Sequence, residues 1–385
     1  MRLFRLVLSI LPAAAASAAA QVPPPVIFAP FPHAGPSAGP AIGPVFVTWT
    51  ATDMRCAGVP VAFQRPPAVM PALGWSSSIG MKPVAYSFTI DPTGRPLDIK
   101  RVAKGYVAAG EDLTPALAVG QFAPGAARSE CSLTFVPAPQ PIAAAPVASV
   151  MAYTMFPQQR PTAEMWARVK PAGSTCYDPP PQVRNRAFPD FDAIPKQPGR
   201  QSWSMIGFDI DEAGKPIHVK AVAGNGNAAL EAASMTAIAE SRFAPGARIG
   251  CQYPYWVGSA TMPAPPMPEE AKFRATGANC PSKAEWAVEP NLTYPEQFRR
   301  RAVEGWALVG YDVAPWGQTG NVRVLAAQPA EEFGEQAVRL LTAAKRAPSA
   351  TGYTGCVDRV HFRMGPTMRK PGAPPVIFDP PQPAY

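Results

Sequence analysis

Charge is scarce in this sequence. Asp, Glu, Lys and Arg together make up 16% of the 385 residues, against roughly 25% in an ordinary soluble domain, so uncharged polar side chains and proline must cover much of the surface. The 35 basic and 27 acidic residues leave a formal net charge of +8, dispersed along the chain, with Arg299, Arg300 and Arg301 forming the one tight run. So small an excess argues against a nucleic-acid partner, and the run is expected on a solvated helical face. Histidine is rarer still, and His33, His218 and His361 stand isolated. There is no zinc-protease helix motif, phosphate loop or serine elbow, and no two cysteines have the close spacing of a metal site. Asp209, Asp211 and Glu212 fall in a strand and turn, where acidic residues are ordinary. These absences leave no catalytic residue, metal ligand or cofactor to nominate, and the sequence reads as non-enzymatic.

Apolar residues, by contrast, reach 47%, ample for buried cores, and 51 prolines with 30 glycines point to compact units separated by stiff spacers. The first twenty residues have a basic start at Arg2 and Arg5, an apolar stretch from Leu6, and small residues at Ala18 and Ala20. That pattern is a secretory signal peptide cut before Gln21. The rival is a retained anchor, but Arg5 and Pro12 leave a short uninterrupted run for a span of about 20 residues. No later segment is apolar and long enough to cross as a helix, so the expected location is the periplasm, with an inner-membrane anchor facing it as the alternative.

Export permits disulfides, and there are six cysteines. Cys56 and Cys131 are 75 apart, Cys176 and Cys251 are 75 apart, and Cys280 and Cys356 are 76 apart. Gly94, Gly214 and Gly317 fall midway within each pair, and Pro124, Pro245 and Pro348 shortly before each second cysteine. Three copies of one unit explain this economically. Six cysteines allow fifteen connectivities; if each copy folds by itself, the bridges run within the pairs. Each would close a loop worth on the order of 4 kcal/mol.

Within a copy, Tyr86, Phe88 and Ile90 alternate with polar residues before a turn through Gly94 to Leu97 and Ile99. Ile206, Phe208 and Ile210 with Gly214, and Val309, Tyr311 and Val313 with Gly317, repeat that hairpin. Helical spacing follows at Leu230, Ser234, Ala237 and Ile238, capped by Asn227, and at Phe333, Ala337, Leu340 and Leu341, opened by Glu331 and Glu332. In the first copy Pro115 and Gly120 shorten the helix. Phe122 and Phe243 then act as aromatic plugs, a place taken by Ala347 in the third copy, and a last strand begins near each second cysteine. The fold class is α+β: three tandem small domains, each an antiparallel three-stranded sheet with a helix on one face, in the order ββαβ.

In the third copy, Tyr294, Pro295, Arg299 to Arg301, Glu304, Gly305, Val309, Asp312, Val313, Gly317, Asn321, Val322, Val324, Pro329, Phe333, Ala337 and Pro348 arrive in register. This string, over 294–364, resembles the C-terminal domain of TonB, the periplasmic end of the Gram-negative energy transducer. Residues 206–257 resemble the same family, and 86–136 do so more faintly. The departures are the cysteine pairs, the triplication and the missing N-terminal membrane helix. The resemblance implies that a peptide segment of an envelope protein, such as an outer-membrane transporter, adds as a strand to the sheet edge. It places that edge at Val357, Asp358, Arg359, Val360, His361, Phe362, Arg363 and Met364, with Arg359, His361 and Arg363 outward and favouring an acidic or polar peptide. A charged edge can equally serve to block aggregation. Pro254 makes the second copy a poorer receptor.

The expected organisation is a signal peptide at 1–20, a Pro-rich arm at 21–43, repeats at 44–137, 151–260 and 271–366, linkers at 138–150 and 261–270, and a Pro-rich tail at 367–385. Residues 136–147 and 261–270, each with four prolines, read as semi-rigid spacers. Pro24, Pro25, Val26, Ile27 and Phe28 in the arm recur as Pro374, Pro375, Val376, Ile377 and Phe378 in the tail. The function expected is that of a peptide-binding or scaffolding module. The alternatives are energy transduction with a retained anchor, and a structural envelope protein without a peptide ligand.

Overall fold

A computed structural model describes residues 43–75, 80–281 and 285–365. The signal-peptide reading and the shared Pro-Pro-Val-Ile-Phe motif lie outside the described residues. Among the described residues, no helix is long and apolar enough to cross a membrane.

The first unit comprises β1 (Pro44–Cys56), β2 (Val59–Pro60), β3 (Ala72–Trp75), β4 (Val84–Ile90), β5 (Pro96–Arg101), α1 (Leu113–Ala118) and β6 (Arg128–Pro141). Val84, Tyr86, Phe88 and Ile90 point inward, as the period of two requires. The Asp91 carboxylate accepts the backbone N–H groups of Thr93 and Arg95, both at 2.9 Å, and closes the hairpin turn. Helix α1 has only six residues, all buried. The sheet runs β2-β1-β6-β4-β5, with β3 also on β1, so it is wider than the three strands read from the repeat.

Residues 136–141, expected as a spacer, are the second half of β6 and pair with β1 as far as Val45 opposite Pro141. The reason is positional. Pro137, Pro139 and Pro141 alternate, so their missing N–H groups all fall on one side of the strand. Ala138 and Gln140 keep donors for the other.

Helices α2 (Val147–Met155) and α3 (Ala163–Val169) follow, and then the second unit: β7 (Val183–Asn185), β8 (Ser202–Ile210), β9 (Pro216–Gly224), α4 (Ala228–Glu240), β10 (Arg242–Phe243) and β11 (Arg248–Val257). Asn227 caps α4, accepting from the Leu230 N–H at 3.1 Å. Sheet order is β11-β8-β9. One face packs Ile206, Phe208 and Tyr255 against Leu230 and Ile238 of α4. The other packs Trp203 and Met205 against Val150, Met151 and Met165 of α2 and α3, so both faces of β8 are covered.

The third unit has β12 (Trp286–Val288), α5 (Glu296–Arg300), β13 (Gly305–Val313), β14 (Thr319–Gln328), α6 (Glu331–Ala343), β15 (Lys345–Arg346) and β16 (Tyr353–Phe362), with sheet order β14-β13-β16. The segment expected as the spacer 261–270 is held against this unit. Met262 is buried and its N–H donates to the Ala302 carbonyl at 2.8 Å, while Trp306 Nε1 donates to the Pro265 carbonyl at 2.9 Å.

The α+β character is thus built from antiparallel sheets with a helix on one face. Three disulfides pair Cys56 with Cys131, Cys176 with Cys251, and Cys280 with Cys356. The backbone is left-handed at the same places in each unit: at the turn glycines Gly94, Gly214 and Gly317, four residues on at Asp98, His218 and Asn321, and just before the second cysteine at Glu130, Gly250 and Gly355.

Instead of being separated by stiff spacers, the units are packed on one another. The first and third share one continuous core, joining Phe122, Leu117 and Val119 to Val303, Phe298 and Phe333. Their backbones also meet, the Ile99 N–H donating to the Pro329 carbonyl at 3.0 Å.

Candidate functional site

The last strand of each unit lies at the side of its central strand, and what occupies its far side differs. In the first unit β1 takes that side along most of β6, from Cys56 opposite Cys131 to Val45 opposite Pro141. The chain has added a strand to its own edge. In the second, only the start of β11 is covered, where the Thr175 N–H donates to the Ile249 carbonyl at 3.0 Å. In the third, Asn279 does the same at Thr354, donating its N–H to the Thr354 carbonyl at 3.2 Å and accepting the Thr354 N–H on its side chain at 2.7 Å. Beyond those points, no strand among the described residues pairs with the far side of β11 or β16.

The eight residues named for the third edge divide by face. Phe362 is fully buried, Val360 is half-buried against the same core, and Asp358 is half-buried in a polar cluster. Val357 is also buried, whereas Arg359, His361 and Arg363 are exposed. The strand ends at Phe362, so Arg363 and Met364 lie past it. There the Met364 N–H donates to the Glu304 carboxylate at 2.8 Å, which ends the ladder. Arg359 sits 3.7 Å from the Glu270 carboxylate. Partial burial and the flanking Arg363 and Arg359 charges hold His361 below its ordinary pKa.

Two devices fix this edge. Asp312 on β13 accepts from the Asn321 side chain at 2.7 Å and from the Gly355 N–H at 2.9 Å, which locks the start of β16 to the hairpin and depresses the Asp312 pKa. Asp209 does the same in the second unit, with the Gly250 N–H at 2.7 Å and His218 at 2.9 Å. His218, read as isolated, therefore has a carboxylate partner.

The second device is Arg346. The plug position is set by the carbonyl that packs on the turn glycine: Phe122 on Gly94, Phe243 on Gly214 and Arg346 on Gly317. The third plug is thus Arg346, one residue before Ala347. Its guanidinium stacks 3.5 Å from the Trp286 ring centroid and donates to Asp358 at 2.7 Å and to the Tyr311 hydroxyl at 3.0 Å. Burial, reinforced by Asp358, raises the Tyr311 pKa.

The arginine run divides as well. Arg299 and Arg300 pair with Glu296 on the surface of α5, as a solvated face requires. Arg301 is instead buried, donating to Asp112 at 2.6 Å and to the carbonyls of Ala68 and Gly199 at 2.7 and 3.3 Å. No signal in the sequence separates it from its neighbours, because its partners come from distant parts of the chain.

The motif residues of the third unit have structural work to do. Tyr294 donates its hydroxyl to the Val303 carbonyl at 2.6 Å and bridges to the Phe362 carbonyl, tying the entry of the unit to the end of β16. At Gly305 a Cβ would meet the Phe333 ring at 2.6 Å, so only glycine lets α6 seat there. No cluster of His, Cys, Asp or Glu among the described residues could hold a metal ion.

Comparison with known proteins agrees with this geometry. Residues 290–363 match the family described as the Gram-negative bacterial TonB protein C-terminal. A stretch of 122 residues is 29% identical to protein TonB of Klebsiella pneumoniae, covering 28% of this chain and 50% of that protein. The chain thus spans about half the length of that relative. The family match falls within the third unit, which is thus similar to the TonB C-terminal domain.

Proposed function

We propose that this is an exported binding module built from three copies of a TonB-like unit, and that its third unit takes an extended acidic segment of an envelope protein as a fourth strand on β16. The observation that carries the reading is that no strand among the described residues pairs with β16 opposite β13 in the unit that matches the family, with Arg359 and His361 exposed along it. An open edge offers unpaired N–H and C=O groups, and the Arg359 cation with the polar His361 selects the partner's side chains. The first unit is not a receptor, because β1 already fills the equivalent position on β6. The partner would be a periplasm-facing segment, outer-membrane transporters being the class that the TonB likeness suggests.

The test is a calorimetric titration of the full chain with an acidic octapeptide and with two versions N-methylated at alternate sets of residues. Strand addition predicts saturable binding that one methylated set abolishes and the other keeps, because only alternate N–H groups face the sheet. Equal binding by all three peptides excludes a backbone ladder.

A purely structural role has its own support in the continuous core of the first and third units. Absence of saturable binding by any acidic, basic or neutral extended peptide would favour it.

A further inference from the structure

A cavity of about 490 Å³ lies in the second unit, between α3 and the outer side of β11, within the size range of small-molecule sites. Its walls are mainly apolar and include Trp166 of α3, Trp256 of β11, Val183, Phe208 and Phe243. No Asp or Glu lines it. Two cations do: the exposed Lys170, 5.3 Å from the Tyr177 ring centroid, and the half-buried Arg186, 4.1 Å from that of Tyr253. Neither takes part in an ion pair among the described residues. A cation over an aromatic face keeps its hydrogen-bonding edge available to an anion.

We infer that this cavity binds a single-chain amphiphile, its apolar body between α3 and β11 and its carboxylate held by Lys170 and Arg186. Charge complementarity decides the head group, since two cations without a carboxylate in the lining favour an anion over a neutral or cationic end. Pro254 decides against a peptide strand here, because it lies on the cavity wall within β11 and cannot donate to a ladder. The site is separate from the β16 edge, so it stands or falls independently of peptide binding there.

The experiment titrates the full chain by calorimetry with laurate, dodecanol and dodecyltrimethylammonium below their aggregation concentrations. Laurate is expected to bind saturably at one per chain, with dodecanol about tenfold weaker and the cation weaker still. Lys170→Gln with Arg186→Gln is expected to weaken laurate about tenfold and leave dodecanol within twofold, and retained dodecanol binding reports that the cavity is still formed. Ala167→Trp, which fills the space from α3, is expected to abolish both. The proposal is overturned by any of four results: no saturable laurate binding, equal affinity for the three probes, laurate binding unchanged in the Lys170 and Arg186 double variant, or laurate binding that survives Ala167→Trp. Displacement of laurate by the acidic octapeptide would assign the cavity to a peptide and overturn it too.

Discussion

Arg301 and Asp112, 189 residues apart in sequence, form a buried ion pair in which the guanidinium donates to the carboxylate through both Nε and a terminal nitrogen. The same guanidinium reaches the carbonyls of Ala68 and Gly199, so one side chain of the third unit holds backbone of the first and second units. Asp112 in turn accepts the Met70 N–H at 2.6 Å. A pair so enclosed is costly to break from one side, because the remaining charge is stranded away from water.

Asp112→Ala is therefore expected to destabilise the protein by about 3–5 kcal/mol, whereas Asp112→Leu combined with Arg301→Met should cost less than either single change. Urea unfolding followed by tryptophan fluorescence measures this. Additive losses in the double variant would show that the two groups do not act as a pair.

Gly317 has φ of 89°, and a Cβ there would stand 2.1 Å from the Arg346 carbonyl oxygen. Gly317→Ala is expected to cost about 2 kcal/mol or more, from both backbone strain and collision. Gly320→Ala, with nothing within 4 Å and ordinary φ, should stay within about 0.5 kcal/mol. Thermal unfolding of the two variants side by side decides it, and equal losses would refute the packing argument.

Glu332, at the start of α6, has its pKa raised from 4.5 to about 7, chiefly by burial and further by the charges of Glu331 and Glu335, against a lowering hydrogen bond from Thr114. Between those two values the native protein holds a proton that the unfolded chain has released. Stability should therefore fall as pH rises from about 4.5 to about 7 on account of this residue. Glu332→Gln is expected to remove that component and to gain on the order of 1–3 kcal/mol above pH 7. Denaturant unfolding at pH 5 and pH 8 provides the check, and an identical pH dependence in the variant would contradict it.

The hairpins and helices are legible in the sequence because each depends on local rules. Tyr86, Phe88 and Ile90 alternate, Gly94 turns, and Asn227 caps, whatever lies nearby. What is not legible depends on distant chain. Nothing near Arg301 distinguishes it from Arg299 and Arg300, yet Asp112 buries it. Proline density at 136–147 suggests a spacer, and only the pairing of β6 with β1 reveals that the prolines share one side. Arg346 breaks the aromatic pattern, and its plug position emerges from the Gly317 contact. The outward residues Arg359, His361 and Arg363 could be named in advance because period two exposes every second residue. The cavity beside β11 could not, since its walls come from α3, from β7 and from the strand itself.

The most direct measurement is backbone hydrogen exchange on the full chain, with and without the acidic octapeptide. The account predicts added protection at alternate amides of 357–362 in β16, little change in β6, where β1 already occupies the edge, and loss of the effect when Arg359 and Arg363 are both changed to Glu. Protection that is absent from β16, or that appears on β6 through displacement of β1, would contradict it.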